Sequence, residues 1–320
     1  MVQAPTPKMP ASDGPPFYYA SFAGLWVYQL IDLAAASALM KAQAPGFAPY
    51  DFGGGKALAN LNVMMYAGHS GQNDPQAYID ILKPINPTGT TYPASLGVEG
   101  SNECEFNIVC FPTARLNQVQ MGMSVMDFVT GNDHTKLLGN FRVGVPCDDR
   151  IAVYWGTQNF GENKIMTHPF LYNVPSPNNI DPTTNMAIGA WKVIVPGTVT
   201  EAFNFNFANF TCSPQMLHVS VDVSSLPASM GNASEIIDYS LFTQNNMTRP
   251  VGSRRNVFGM FKAYDLGTNG AGYAVVSVGN STHPLVSIMQ KLLLGAPIVA
   301  VQTFHSQPVV AESSLYYVDL

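Results

Sequence analysis

Charge is what this 320-residue sequence has least of. Lysine and arginine number 15, aspartate and glutamate 21, and charged residues make up only 11% of the chain, under half the share usual in a soluble domain. The polar surface is left to Asn, Gln, Ser and Thr, and a chain this poor in charge is expected to hide part of its surface in a homo-oligomer. A net charge of −6 and a pI of 5.4 exclude a nucleic-acid partner, because neutralising phosphates takes clustered Lys and Arg. Arg254-Arg255 is the only adjacent basic pair. Paired cysteines are missing too. Cys104, Cys110, Cys147 and Cys212 form no CxxC, and all four read as reduced, buried thiols. The six histidines are scattered without an HExxH pattern, so no metal is expected. Long apolar runs are absent: the most apolar window, 22–40, carries Gln29 and Asp32, so no membrane span is expected. The opening MVQAPTPKMPASDGPPF lacks the basic-then-apolar pattern of a signal peptide. With sequons at Asn209, Asn232, Asn246 and Asn280 expected by chance, the chain reads as cytoplasmic. No dinucleotide fingerprint occurs. The GGGK at 53–56 lacks the spacing of a phosphate loop, so no cofactor is expected.

What is present is a series of short strands. Residues 31–43 are alanine-rich and predict a helix stopped by Pro45-Gly46. In ALANLNVMMY, Leu61, Val63 and Met65 alternate with Asn60, Asn62 and Met64, which is the two-residue period of a strand. CEFNIVCFP repeats that pattern, with Glu103, Glu105 and Asn107 on one face and Phe106, Ile108 and Cys110 on the other. FRVGV and IAVYWG are expected to be strands flanking a CDDR hairpin turn. Further strands are expected at WKVIVPG, AFNFNFANF, HVSVDVSS, GYAVVSVGN and SLYYVDL, with PLVSIMQKLLLG a helix ending on glycine. The expected fold is α+β: an antiparallel β-barrel or cone-like sheet enclosing a pocket, with a few flanking helices. Residues 1–16 read as a proline-rich arm and 17–320 as one domain, with an elaboration around 195–270.

One lysine stands out. In WGTQNFGENKIMTHP, Lys164 sits in an aromatic and glycine-bearing stretch with no cation beside it. An amine held in an apolar site loses hydration and its pKa falls, which makes it a nucleophile at neutral pH. The alternative is an ordinary surface lysine.

Around that lysine the chain resembles the acetoacetate decarboxylase superfamily, whose motif runs Gly-Arg-Glu, two residues, Gly, aromatic, Pro, Lys, Lys. In register, Gly156 and Gly161 fall on the two glycines and Lys164 on the first lysine, with Phe160 at a commonly aromatic position. GPPFYY, LANLNVMMY, SNECEFNIVCFP and the ending from His283 resemble further landmarks in the family's order. The resemblance implies a lysine that forms a Schiff base with a small-molecule carbonyl substrate. In acetoacetate decarboxylase such a lysine is activated by desolvation or a neighbouring cation. Here Ile165 replaces the second lysine, leaving desolvation, and Thr157, Gln158 and Asn163 replace the arginine, glutamate and proline. The resemblance implies Glu105, or Glu103 one face-repeat away, as the acid-base group. It places Asn62 in the pocket, and Ser21 where the family carries an arginine. Trp155, Phe160 and Met64 are further pocket candidates. Glu162 is expected to point to solvent, so the site reads as one stripped of most of its charge. The implied activity is decarboxylation of a β-keto acid through an iminium on Lys164. An aldolase- or dehydratase-type reaction on a neutral ketone in secondary metabolism is one alternative. A non-covalent cyclase or hydrophobic-ligand binder is another.

Overall fold

A computed structural model describes residues 17–19, 22–66, 69–70, 101–175, 189–206, 209–306, 310–312 and 315–318. In chain order the elements are β1 (Phe17–Tyr19), β2 (Phe22–Asp32), α1 (Leu33–Gln43), β3 (Phe47–Pro49), β4 (Lys56–Tyr66) and β5 (His69–Ser70). Then come β6 (Ser101–Pro112), α2 (Val125–Val129), β7 (Gly139–Cys147), α3 (Arg150–Phe160), β8 (Lys164–Met166), β9 (Leu171–Asn173) and β10 (Trp191–Pro196). The remainder is β11 (Asn204–Asn206), β12 (Thr211–Ser213), β13 (Gln215–Val221), β14 (Ser229–Gln244) and β15 (Met247–Asp265). It ends with β16 (Ala274–Val278), α4 (Pro284–Leu293), β17 (Ile298–Ser306), β18 (Val310–Glu312) and β19 (Tyr316–Tyr317).

The main sheet runs β14-β7-β6-β4-β2-β17-β15, and β15 pairs back onto β14. This curls the sheet into a cone. The pairings are antiparallel except for β7 with β14 and β7 with β8. The β7–β14 seam has two residue pairs, Asn140 with Asp238 and Phe141 with Tyr239. A second sheet, β16-β13-β10-β9, packs with α1 and α4 on the outer face of the cone.

The two-residue period puts each strand's residues on opposite faces. Leu61, Val63, Phe106, Ile108, Phe141 and Val143 join the outer core, where α4 contributes Leu285, Val286, Met289, Leu292 and Leu293. The other face of the same strands carries Trp26, Tyr28, Met64, Tyr66 and Phe304, interleaved with buried Asn60, Asn62, Glu103, Glu105, Asn107 and Arg142. Both faces are buried. The inner one is half polar.

Several expectations change. Strand β2 persists to Asp32, whose carboxylate caps α1 through Ala35 N at 2.8 Å, so the first helix starts at Leu33. IAVYWG belongs to helix α3, and CDDR is not a hairpin turn. Asp149 Oδ1 accepts from Ala152 N at 2.6 Å to start that helix, and Gly161 ends it at φ +61°. The apolar, β-branched residues suggested a strand, but the two caps, twelve residues apart, decide for a helix. The long β14–β15 hairpin lies within 195–270, where no strand was expected beyond residue 225; Asn245 and Asn246 turn it at φ +53° and +61°. Of the cysteines, Cys104, Cys110 and Cys147 are buried and free, while Cys212 is only half-buried. No helix among the described residues is long and apolar enough to cross a membrane.

Glu201 ties the second sheet to the start of α4. Its carboxylate accepts from Thr198 N, Ser281 Oγ, Thr282 N and Thr282 Oγ1 at 2.7–3.0 Å. Burial pushes its pKa up, but these hydrogen bonds together bring it down to about 2. A depressed carboxyl stabilises the fold above its ordinary value of 4.5 and loses that contribution as pH falls towards 2. Glu201→Gln should therefore lower the Tm most at neutral pH, with the gap to wild type shrinking below pH 4.5. A gap that does not change with pH contradicts this.

Candidate active site

Lys164 opens β8, whose parallel pairing with β7 sets Lys164 beside Val145. The chain reaches that point through the left-handed turn at Gly161, which a Cβ would obstruct by approaching Leu241 O to 2.5 Å. Gly156 lies against the lysine itself. A Cβ there would collide with Lys164 Cε and come within 2.5 Å of Glu162 Oε2. Gly156 therefore makes room for Glu162 and Lys164, and Gly161 for the backbone of β14 that passes it.

The Lys164 side chain is 5% exposed and its amine meets two carboxylates. Glu103 Oε2 accepts a hydrogen bond from Nζ, and Glu162 Oε2 lies 3.0 Å away. Tyr66 OH donates to the other Glu103 oxygen at 3.0 Å. Glu105, one face-repeat along β6, has a different partner. Its Oε1 takes Arg142 Nε at 3.0 Å, and its Oε2 takes Asn62 Nδ2 and Asn107 Nδ2 at 3.1 Å each.

Arg142 is the centre of the cluster. Beyond Glu105 it reaches Asp238 Oδ2 through Nη2 at 2.9 Å and Glu162 Oε1 through Nη1 at 2.6 Å. The last is a close ion pair whose angles are not those of an aligned hydrogen bond. Glu162 thus bridges the arginine and the lysine. It points inward, not to solvent as expected, because the chain leaving Gly161 enters the cone between two cations. The site is not stripped of charge: among the described residues it gathers two cations and four carboxylates.

This changes the state of the amine. Burial pulls the Lys164 pKa down, and it is the largest single influence, but the charges of Glu103 and Glu162 and the Glu103 hydrogen bond together hold it well above 10.5. Lys164 in the ligand-free site is an ammonium, not the desolvated neutral amine that Ile165 suggested. Cys147, opposite Glu103 in the β6–β7 ladder, is a neutral thiol, its pKa pushed up chiefly by burial.

The remaining candidates divide. Met64 faces inward opposite Glu103, with its sulfur 3.0 Å from Tyr66 OH, beside the bond that this hydroxyl gives to Glu103. Phe160 packs with Phe242, Val251 and Leu315 in a separate apolar cluster. Ser21 and the Trp155 side chain lie outside the described residues. Arg142, Asp238 and Tyr66 had not been singled out. A charged residue between apolar neighbours in a strand, Phe141-Arg142-Val143 and Ile237-Asp238-Tyr239, was the available sign.

Removing the shared cation should be severe. Arg142→Met leaves three buried carboxylates without it and should lower unfolding stability by about 3–5 kcal/mol in urea titration; a loss under about 1 kcal/mol contradicts the network. Gly156→Ala should displace the lysine and destabilise by about 1–3 kcal/mol.

No protein-family profile and no curated protein sequence matches the chain. Solved structures do. An acetoacetate decarboxylase-like enzyme from Sphingomonas wittichii RW1 superposes with a TM-score of 0.52 at 15% identity, covering 96% of this chain and 94% of that one. The enduracididine biosynthesis enzyme MppR, complexed with pyruvate, gives 0.53 at 12%, covering 95% and 90%. A structure from studies of acetoacetate decarboxylase gives 0.53 at 10%, covering 97% and 91%. With nearly the whole of each chain superposed, the cone-like sheet and its flanking helices are those of the acetoacetate decarboxylase-like fold.

Proposed function

We propose that the protein is a cofactor-independent enzyme in which Lys164 forms an iminium with a carbonyl substrate. The observation that carries this reading is the buried contact of one lysine amine with Glu103 and Glu162 on the inner face of the cone. Glu103 is the base. Lys164 and Glu103 exchange an ion pair for a neutral amine and a neutral acid with no change in net charge, the proton moving along the hydrogen bond they already share. The amine then attacks the carbonyl carbon. A second proton passes from nitrogen to the carbinolamine oxygen, Glu103 returns the first, and water leaves. The product is a cationic iminium facing two carboxylates, which hold it as they held the ammonium.

The charge of the site bears on the substrate. A β-keto acid brings another carboxylate to a cluster already holding four, and a neutral ketone or aldehyde does not. The fixed cation, Arg142, is shared among three of those carboxylates. We therefore place carbon–carbon bond formation or cleavage, or dehydration, on a neutral carbonyl compound ahead of decarboxylation. The pyruvate complex of MppR supports a small carbonyl ligand on this fold, although pyruvate itself carries a carboxylate and so does not favour the neutral class.

A binder with an inert lysine is the second reading, favoured by the raised Lys164 pKa. Borohydride trapping separates them. With a neutral β-diketone at pH 7–8, intact mass and peptide mapping should find one reduced adduct, on Lys164, absent from Lys164→Ala. Glu103→Gln should slow trapping by about 100-fold or more, although losing one carboxylate lets the amine titrate lower. No adduct in wild type leaves the binder. An adduct whose rate ignores Glu103→Gln removes the base from the mechanism.

A further inference from the structure

A second feature of the inner face has no part in the chemistry above. A cavity of about 40 Å³ lies against β2, β4 and β17, walled by Trp26, Tyr28, Asn60 and Gln302, with Phe128 and Leu138 on its apolar side. Along β4, Asn60 is four residues from Met64, the residue opposite Glu103, or about 13 Å at strand spacing. The cavity is thus a separate place from the Lys164 amine.

Three of its walls carry a buried polar atom with no hydrogen-bond partner among the described residues: Trp26 Nε1, Asn60 Oδ1 and Gln302 Nε2. Each of these side chains is at most 2% exposed. Orphaned polar atoms are uncommon in protein interiors and call for an explanation one by one. Three around one cavity have a common one. The groups that could make the cavity select charge are already occupied. Asp133 accepts from Thr135, Leu137 and Leu138, and Lys136 donates to Gly131 O. The indole N–H can only donate. Asn60 donates to Asn140 at 3.4 Å and Gln302 accepts from Tyr28 OH at 3.1 Å, so each amide keeps its other end for the cavity.

We infer that this cavity is a binding subsite for an uncharged group that accepts from Trp26 and Gln302 and donates to Asn60, a primary carboxamide being the best match. Neither ion suits it: a carboxylate gives Asn60 nothing to accept, and an ammonium gives the indole nothing to donate to. The space admits a group of a few atoms, with aromatic surface from Trp26, Tyr28 and Phe128 beside it. The inference stands whether or not Lys164 reacts.

Trp26 reports on the site directly. It is one of three tryptophans, so its indole N–H is one of three cross-peaks from the ¹⁵N-labelled full chain, assigned with Trp26→Phe. Acetamide should shift that peak saturably, and acetate and methylammonium should not. Gln302→Met should weaken the acetamide response by about tenfold, the loss of one hydrogen bond; Asn60→Ala gives the same readout should Gln302→Met not fold. An absent or unsaturable response overturns the inference. So does a response equally strong with acetate or in the folded variant. Magnetisation transfer from water to the indole N–H without any effect of acetamide would mean that the cavity holds water alone, and would overturn it as well.

Discussion

Arg142 draws carboxylates from three separate parts of the chain to one point, and the site takes its form from that demand. Glu105 comes from β6, Glu162 from the connection between α3 and β8, and Asp238 from the long hairpin strand β14. A guanidinium is always charged and presents its donors in a fixed planar fork. Buried as completely as this one, it must be met by acceptors in that plane. The β7–β14 seam consists of only two residue pairs among the described residues, so the Arg142–Asp238 contact reinforces a short pairing where the sheet curls back on itself. The same arginine, through Glu162, sets the position of one carboxylate beside Lys164.

Such a network stabilises less than its contacts suggest, because each buried charge has given up its hydration. What it contributes is placement. Glu162 cannot serve the arginine and the lysine at once unless α3 ends where it does. Gly161 supplies that ending and Gly156 supplies the clearance. The result is an amine whose environment favours positive charge. That suits an iminium, which stays cationic, better than it suits a free nucleophile. On the proposed iminium route the difficult step is the departure of the proton, which we assign to Glu103, the carboxylate that accepts from Nζ.

The alternation of Asn60 and Asn62 with Leu61 and Val63 was legible as a strand with one polar face, and so was the face shared by Glu103 and Glu105. Those patterns sufficed for the kind of fold and for one wall of the site. The lysine was visible because it was isolated in sequence. Its surroundings were not, because Arg142 and Asp238 are about a hundred residues apart and meet only across a parallel seam that local periodicity does not announce. IAVYWG misled for a related reason: its β-branched and aromatic residues suit a strand, and the helix is decided by Asp149 and Gly161 at its two ends. The pKa of Lys164 was misjudged in sign because Glu103 and then Glu162 turn their carboxylates onto the amine, and Glu162, two residues away, was expected to face solvent. That question is settled by tertiary packing and not by spacing.

The charge state of Lys164 is the claim on which the account turns, and it can be observed without a substrate. In protein labelled with ¹³C and ¹⁵N at lysine, the Cε and Nζ resonances of Lys164, assigned with Lys164→Arg, should remain those of an ammonium as the pH passes 10.5, the ordinary lysine value. A midpoint below 10.5, or a neutral amine at pH 7, would contradict the carboxylate cage described here and restore desolvation as the force acting on this lysine.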